Sequence, residues 1–299
     1  MQAMAYDTEP VEYIKRTRRY YEALGYGKPY EWAHFESVPF TQPSKPLSQC
    51  SLSIVTTAAP YQPEKGDQGP GALYNAAAKF YSVYRLPIDP VPDLRISHIA
   101  IDRHHTTAED PNSYFPLAAL QAIRQQGRIG ELAKHVYGLP TNRSQAKTIN
   151  ADCQDLLRFI KEDEIDIALF VPNCPVCHQS VSLAARSLEE AGIPSVILGC
   201  AKDIVEHVGV PRLVFSDFPL GNAAGIPGDT ECQKELIHMA LNLVESARKP
   251  HSTVQSPYKW PGAEHWKADY SNPDHLSKED IRRKRAEFDL AKTTARSLR

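Results

Sequence analysis

The sequence has no long apolar segment and little net charge. No apolar run approaches the roughly 18 residues that a membrane-spanning helix needs. The N-terminal stretch MQAMAYDTEPVEYIKRTRRYY lacks the apolar core of a secretory signal peptide. The formal net charge is −2, which gives no electrostatic basis for binding nucleic acid or an anionic membrane. We therefore predict a cytoplasmic protein without nucleic-acid or membrane partners.

Phosphate-binding signatures and a disulfide scaffold are also missing. The Gly/Pro-rich stretch EKGDQGPG contains neither a P-loop nor a dinucleotide-binding glycine motif, so we interpret it as a plain connection. The 6 cysteines in a chain of 299 residues do not form the dense disulfide framework of a small secreted domain. In a reducing compartment most of them are core thiols, which leaves one pair as a candidate for redox chemistry.

The order of apolar segments divides the chain into three parts. Residues 1–50 predict an N-terminal helix followed by an irregular segment rich in proline and aromatic residues. Residues 51–248 predict an α/β catalytic domain, since short buried strands alternate with helices over 150–248. This alternation predicts a doubly wound, mostly parallel sheet flanked by helices. Residues 249–299 predict a C-terminal extension, a linker plus a charged helix, that packs on the domain or on a second subunit of a homo-oligomer.

A dithiol motif, CPVCH, stands between a predicted strand and a predicted helix. The apolar run before it is typical of a buried parallel strand, and apolar residues recur at helical spacing after it. Cys174 and Cys177 therefore fall at the start of a helix, where free N–H groups and the macrodipole favour a thiolate. We expect Cys174 to be an ionised, accessible sulfur that attacks substrate, and Cys177 to close a disulfide onto it.

A histidine pair follows a second predicted strand. The stretch RISHIAI alternates like a strand and leads into Asp102, His104 and His105. Ligands of open α/β sheets bind outside the carboxyl ends of the strands. We therefore predict that Asp102 contacts substrate and that His104, His105 or His178 protonates the leaving group. Adjacent histidines on a strand point to opposite faces and form no i, i+4 pair, so we predict no metal site here.

A loop of small residues follows a third predicted strand, over residues 213–216. Asp217 begins this loop, and Gly221 and Asn222 lie within it. The loop opens at the same edge of the predicted sheet as the dithiol motif. We therefore predict that Asp217, Gly221 and Asn222 bind substrate through polar side chains and backbone groups.

Four interpretations of the CPVCH motif compete. Covalent haem attachment requires export, and a zinc site needs four ligands although the sequence has no second C-x-x-C pair. A thioredoxin-type dithiol fits the strand–turn–helix context, but a thioredoxin fold is smaller and carries its motif after an early strand. Two cysteines that merely fill the core are disfavoured by Pro175 and by the Pro172–Asn173 break.

Seven stretches between residues 51 and 244 carry a family resemblance. They are IVTTA, SHIAIDRHH, DPNSYFPLAAL, GRIGELA, VPNCPVCHQS, LEEAGIPSVIL and DFPLGNAAGIPGD. In this order they resemble the selenoprotein B subunits of glycine, sarcosine and betaine reductases and, more closely, the related B-type subunit of D-proline reductase. The resemblant segment covers about two thirds of the chain.

The resemblance implies reductive cleavage of a C–N bond. In that family a selenocysteine at the first position of U-x-x-C attacks the carbon that bears nitrogen, and the neighbouring thiol resolves the adduct. Here the first position is Cys174 and the second cysteine is Cys177. A thiolate is a poorer nucleophile at neutral pH than a selenolate, so the attack must be easier or better activated. Nothing in this chain indicates the pyruvoyl-bearing partner subunit of the family.

Together these observations predict a thiol-dependent reductase that cleaves a C–N or other C–heteroatom bond of a small-molecule substrate. Its redox dithiol would need no further cofactor and would be restored by a thioredoxin-like protein or a small thiol. Two alternatives stay open. One is a zinc- or iron-binding enzyme that uses Cys174, Cys177 and a histidine, and the other is a dithiol electron-relay subunit of a larger complex.

Overall fold

The structure is a computed structural model that describes residues 9–96, 98–262 and 265–297. Within these ranges the strands are β1 (Ser51–Thr56), β2 (Ala59–Pro60), β3 (Tyr84–Pro87), β4 (Leu94–Arg95), β5 (Glu131–Leu132), β6 (His135–Gly138), β7 (Ile167–Val171), β8 (Ser195–Gly199), β9 (Arg212–Phe215) and β10 (Ser252–Gln255). The helices are α1 (Tyr13–Ala23), α2 (Leu117–Gln125), α3 (Gln145–Lys147), α4 (Cys153–Glu162), α5 (Pro175–Glu190), α6 (Lys202–Val208), α7 (Thr230–Ser246), α8 (Trp266–Asp269) and α9 (Lys278–Ser297). No helix in the described ranges combines the length and the apolar character that crossing a membrane requires.

One large sheet organises the molecule. Its strands follow the order β10-β9-β8-β7-β1-β6-β3, and β5 also pairs with β1. Within the described residues these pairs are parallel, except for the antiparallel pair of β3 and β6. Every residue of β7, β8 and β9 is buried, because helices cover both faces of the sheet. The predicted α/β fold with a mostly parallel sheet is confirmed.

The strand order reverses beside β1. The chain passes from β1 to β6 on one side of it and then crosses to β7 on the other side. Such a reversal leaves a crevice outside the carboxyl ends of the two strands, and open α/β sheets bind their ligands there. Helix α5 begins four residues after β7 ends, so its first turn faces this crevice.

The predicted strand over residues 95–101 is wrong. Only Leu94–Arg95 form a strand, β4, which pairs with β2 in a separate two-stranded sheet. Residues 99 and 100 lie in a turn, and residue 97 lies outside the described residues. The guanidinium of Arg103 donates to the carbonyls of His98 and Ile99 at 2.6 and 3.2 Å. These carbonyls therefore serve a loop instead of a strand ladder, and the loop crosses the carboxyl edge of the main sheet.

The C-terminal segment packs on the α/β domain. The side chains of Trp266 and Tyr270 are buried, and the Tyr270 hydroxyl donates to the carbonyl of Ala100 at 3.0 Å. The guanidinium of Arg16 in α1 donates to the carbonyls of Lys267 and Tyr270 at 3.1 and 2.7 Å. Strand β10 also extends the main sheet beyond residue 248. The main sheet therefore extends to residue 255. The division of the chain at residues 50 and 248 stays a prediction.

Candidate functional site

The cysteine pair lies at the crevice, where β7 passes into α5. Cys174 is the N-cap residue of α5 and Pro175 occupies the first helical position, where the missing N–H of proline costs nothing. Cys174 Sγ accepts a hydrogen bond from the backbone N–H of Cys177 at 3.3 Å. The two sulfurs form a disulfide across a Cα–Cα distance of 4.9 Å. The sequence thus placed the pair on the correct turn and within bonding reach.

A hydroxyl and an imidazole lie beside the pair. Thr141 Oγ1 is 3.1 Å from Cys177 Sγ and 3.3 Å from His98 Nε2. A ring nitrogen of His98 and the two sulfurs all lie within 4.8 Å of one another. His98 Nδ1 is buried and has no hydrogen-bond partner among the described residues. A polar chain therefore connects an otherwise enclosed histidine to the second sulfur of the motif.

Two cations surround this histidine. Burial of the ring, together with Lys79 and Arg103, lowers the pKa of His98 to about 3. Lys79 Nζ donates to the carbonyl of Thr141 at 2.9 Å, and Arg103 holds the carbonyl of His98. The imidazole is therefore neutral at pH 7 and carries one N–H and one lone pair. In this state it can donate to the Thr141 hydroxyl and let that hydroxyl donate to the sulfur.

The pair is covered in this structure. Cys174 is 5% exposed and Cys177 is 0% exposed. Ile101 is buried against both cysteines, and the partly buried Ile96 and Val176 complete this small apolar cluster. The accessible sulfur that the sequence predicts is therefore not observed, because the loop that contains Ile96 and Ile101 packs over it.

One open cavity in the described residues lies away from the cysteines. Its volume is about 420 Å³, and residues 42–47, Glu245 and Arg248 line it. Residue 47 precedes β1 and Glu245 lies at the end of α7, which places this cavity at the amino edge of the sheet. The cysteine pair lies at the opposite, carboxyl edge.

His178 holds the cysteine turn in place. Its Nδ1 donates to the carbonyl of Cys174 at 2.8 Å, and its Nε2 accepts from the backbone N–H groups of Cys200 and Ala201 at 2.9 and 3.2 Å. Both ring nitrogens are thus engaged, and burial lowers the pKa of His178 to about 4. The acid role predicted from the sequence finds no free nitrogen here. The geometry instead gives His178 a positioning role between the cysteine turn and the loop after β8.

Replacing His178 with phenylalanine should destabilise the protein by about 3 kcal/mol at pH 7, because two buried N–H groups lose their acceptor. Wild-type stability should also fall between about pH 6.5 and pH 4. In that window the unfolded histidine binds a proton and the folded one does not, which amounts to about 3 kcal/mol. Urea unfolding at pH 7, 5.5 and 4 measures both effects. The exposed His104→Phe is the control, and an unchanged acid sensitivity in His178→Phe would contradict the assignment.

The Asp102–His105 pair faces the C-terminal segment. His105 Nδ1 lies 3.0 Å from each carboxylate oxygen of Asp102, and its Nε2 lies 3.4 Å from Asp269 Oδ2. Asp102 is 1% exposed, and burial raises its pKa although His105 opposes the shift. His104 is exposed, and its backbone N–H donates to Asp102 Oδ1. Ile101, the residue before Asp102, packs in the same apolar cluster as the two cysteines. The predicted roles of Asp102, His104 and His105 in substrate binding and catalysis stay predictions.

The predicted substrate loop packs against the same segment. Asp217 forms an ion pair with Lys267 of α8. Asn222 Nδ2 donates to Thr106 Oγ1 at 2.6 Å. Gly221 has a φ of 111°, and a Cβ at this position would lie 3.1 Å from Thr106 Cγ2. The loop is thus closed against residues 101–106, and substrate binding by Asp217, Gly221 and Asn222 stays a prediction.

Sequence reasoning missed His98 and Thr141 as neighbours of the sulfurs. Thr141 lies three residues after the end of β6, and β6 is the strand next to β1 in the sheet. The end of β6 was the available signal, because polar residues after central strands collect at the crevice. His98 left no comparable signal, since its position depends on the loop that replaces the predicted strand.

The chain is similar in sequence to subunits of three reductases. The chain is 28% identical over 231 residues to D-proline reductase subunit gamma of Acetoanaerobium sticklandii, an alignment that covers 75% of this chain and 92% of that protein. It is 26% identical over 229 residues to glycine reductase complex component B subunit gamma of Symbiobacterium thermophilum, covering 73% and 52%. It is 23% identical over 219 residues to sarcosine reductase complex component B subunit beta of Peptoclostridium acidaminophilum, covering 71% and 49%.

The chain is therefore similar to subunits of these reductases, and the predicted resemblance is confirmed. It spans nearly all of the D-proline reductase subunit but about half the length of the glycine and sarcosine reductase subunits. The relationship supports an oxidoreductase function. No protein-family model matches the chain, and no solved structure matches it.

Proposed function

We propose that this chain is a thiol-dependent reductase that cleaves a C–N bond, or another C–heteroatom bond, of a small substrate through Cys174 and Cys177. The observation that carries the proposal is the bonded cysteine pair at the reversal point of the sheet, in a homologue of D-proline, glycine and sarcosine reductase subunits. The names of these relatives suggest an amino acid or N-methylated amino acid as substrate.

In the first step the thiolate of Cys174 attacks the carbon that bears nitrogen. A C–S bond forms, the C–N bond breaks, and the nitrogen leaves with the electron pair and takes a proton. The N–H of Cys177 donates to Cys174 Sγ and the sulfur caps the helix, which favours its thiolate. The helix terminus thus supplies part of the activation that a sulfur nucleophile needs.

In the second step the thiolate of Cys177 attacks Cys174 Sγ. An S–S bond forms, the S–C bond breaks, and the electron pair goes to carbon, which takes a proton. Substrate carbon is reduced and the two thiols are oxidised to the disulfide seen in the structure. The leaving carbon must tolerate negative charge, so an adjacent carbonyl or carboxylate group is required. The α-amino acids named by the relatives meet this requirement.

The disulfide must then be reduced by an external dithiol, either a thioredoxin-like protein or a small thiol. The glycine and sarcosine reductase relatives are named as components of complexes. We therefore also propose that this chain works together with other subunits. Activation of the substrate before the attack is the natural task of such a partner.

A single turnover without added reductant tests the proposal. Fully reduced protein is mixed with D-proline, glycine, sarcosine or betaine, with and without a cell extract as the source of partner subunits. The extract is first gel-filtered to remove small thiols and reducing nucleotides. We expect at most one product molecule per chain and the loss of two free thiols per product, located by mass spectrometry at Cys174 and Cys177. The four other cysteines, all buried, should stay reduced. Product formation without thiol loss would overturn the proposal.

The same experiment assigns Thr141. Its hydroxyl is 3.1 Å from Cys177 Sγ and is the group that can stabilise the resolving thiolate. Thr141→Val should slow disulfide formation by about tenfold to a hundredfold and move its rise to higher pH, without changing the amount of adduct formed first. Thr141→Ser keeps the hydroxyl and should behave as wild type. Equal rates in the valine and serine variants would remove Thr141 from the mechanism.

A further inference from the structure

We propose that the reduced cysteine pair and His98 bind a thiophilic divalent metal ion, with Zn²⁺ as the matching chemistry, and that the bound ion masks the two sulfurs. Metal binding itself is independent of the proposed reductase activity. Only the masking of the sulfurs rests on that activity.

The donor set fits zinc. Two cysteine sulfurs and one imidazole nitrogen lie within 4.8 Å of one another, and the three residues are each at least nine-tenths buried. Thiolate and imidazole are the ligands that Zn²⁺ takes most readily, and three protein ligands leave a fourth position open for water. The sequence contains no second C-x-x-C pair, but the fold brings a third donor, His98, from a distant loop.

The histidine has a nitrogen to give. Thr141 Oγ1 engages His98 Nε2 at 3.3 Å, while Nδ1 is buried without a partner among the described residues. An unpaired buried polar atom costs free energy, and binding an ion removes that cost. Histidines that bind metals usually keep one ring nitrogen on an orienting hydrogen bond while the other binds the ion. His98 has two ring nitrogens for these two tasks, one in contact with Thr141 and one without a partner among the described residues.

Reduction controls whether the ion can bind. The disulfide has no thiolate to offer, so the oxidised chain should not take up metal. After an external dithiol reduces the bond, Zn²⁺ can replace two thiol protons and form two S–Zn bonds, with no change in oxidation state. The lone pairs of both sulfurs are then committed to the ion. Attack on substrate and reclosure of the disulfide both require that the ion leave first.

Titration with Co²⁺, which reports its ligands by colour, tests the site in the full-length chain. Reduced wild-type protein should bind one Co²⁺ with a thiolate-to-cobalt charge-transfer band, and Zn²⁺ should displace it. His98→Ala should weaken binding by about tenfold to a hundredfold and change the visible spectrum. Cys177→Ser should lose most of the charge-transfer band. The exposed His104→Ala is the matched control and should bind as wild type.

Two results would overturn the site: no ion bound by reduced wild-type protein, or identical affinity and spectrum in His98→Ala. Masking is measured without turnover, as the rate at which iodoacetamide alkylates Cys174 with and without Zn²⁺. We expect Zn²⁺ to slow alkylation at least tenfold and a chelator to restore it. Alkylation at an unchanged rate in zinc-loaded protein would overturn the masking. Neither measurement uses substrate, so both can be interpreted even if the chain proves not to be a reductase.

Discussion

Replacing Cys177 with serine should trap substrate on Cys174 and stop turnover. The thiol of Cys174 can still attack carbon, but a serine hydroxyl cannot attack Cys174 Sγ to form a disulfide. The C–S bond of the adduct is therefore not cleaved. Intact-mass analysis should show one adduct per chain, and kcat should fall by about a thousandfold or more. With glycine, sarcosine or betaine the adduct should have the mass of the substrate less its amine, whereas D-proline, whose C–N bond lies in the ring, should add its whole mass. The adduct should map to the peptide that begins α5. This result would separate the attacking sulfur from the resolving one.

Cys174→Ser should show neither adduct nor turnover, since the nucleophile itself is gone. Cys153→Ala is the control, because that thiol lies in the core on α4 and burial raises its pKa to about 12. It should keep both adduct formation and turnover. Full activity in Cys174→Ser would show that the chemistry lies elsewhere in the protein.

Replacing Arg212 with methionine should destabilise the protein by about 3–5 kcal/mol. Arg212 Nη1 lies 2.8 Å from Glu189 Oε1, and both side chains are 0% exposed. The variant leaves the Glu189 carboxylate buried without its counter-ion. Glu189 also accepts from the N–H groups of Ser195 and Thr41 at 2.6 and 2.5 Å, so the pair ties the end of α5 to β8, β9 and the N-terminal segment. Urea unfolding gives the loss directly.

Two controls frame this prediction. The exposed pair of Arg158 and Glu162 on α4 has the same chemistry without the burial, so Arg158→Met should cost less than about 1 kcal/mol. Arg212→Met combined with Glu189→Gln should recover a large part of the loss, because the uncompensated charge is gone. A loss below about 1 kcal/mol in Arg212→Met alone would show that the pair does not anchor α5.

The sequence correctly predicted the elements whose structure follows from the burial of neighbouring residues. The apolar runs at β7 and β8 reveal buried parallel strands, and the cysteine motif between β7 and α5 can be placed from the neighbouring periodicity alone. The stretch RISHIAI carries an equally regular alternation and still forms no long strand. Its carbonyls are captured by Arg103, and hydrogen bonding from a side chain within the loop cannot be read from a hydrophobic pattern.

The rest of the site depends on long-range placement. His98 and Thr141 precede Cys177 by 79 and 36 residues in the sequence. Thr141 reaches Cys177 because β6 and β7 flank β1, an order that periodicity does not specify. The ion pair of Asp217 with Lys267 joins residues 50 apart in the sequence. Whether a sulfur is exposed depends on such contacts. The predicted accessibility of Cys174 was therefore the expectation that the sequence could support least.

The covering of the cysteines has an outer support. Tyr270 holds the carbonyl of Ala100, and Asp269 reaches His105. The end of α8 and the residue after it therefore secure the loop whose Ile101 packs in the apolar cluster of the cysteines. The covered state of the dithiol thus depends in part on contacts made by residues 269 and 270. Substitutions there would change the tempo of the sulfur chemistry while leaving its reacting atoms untouched.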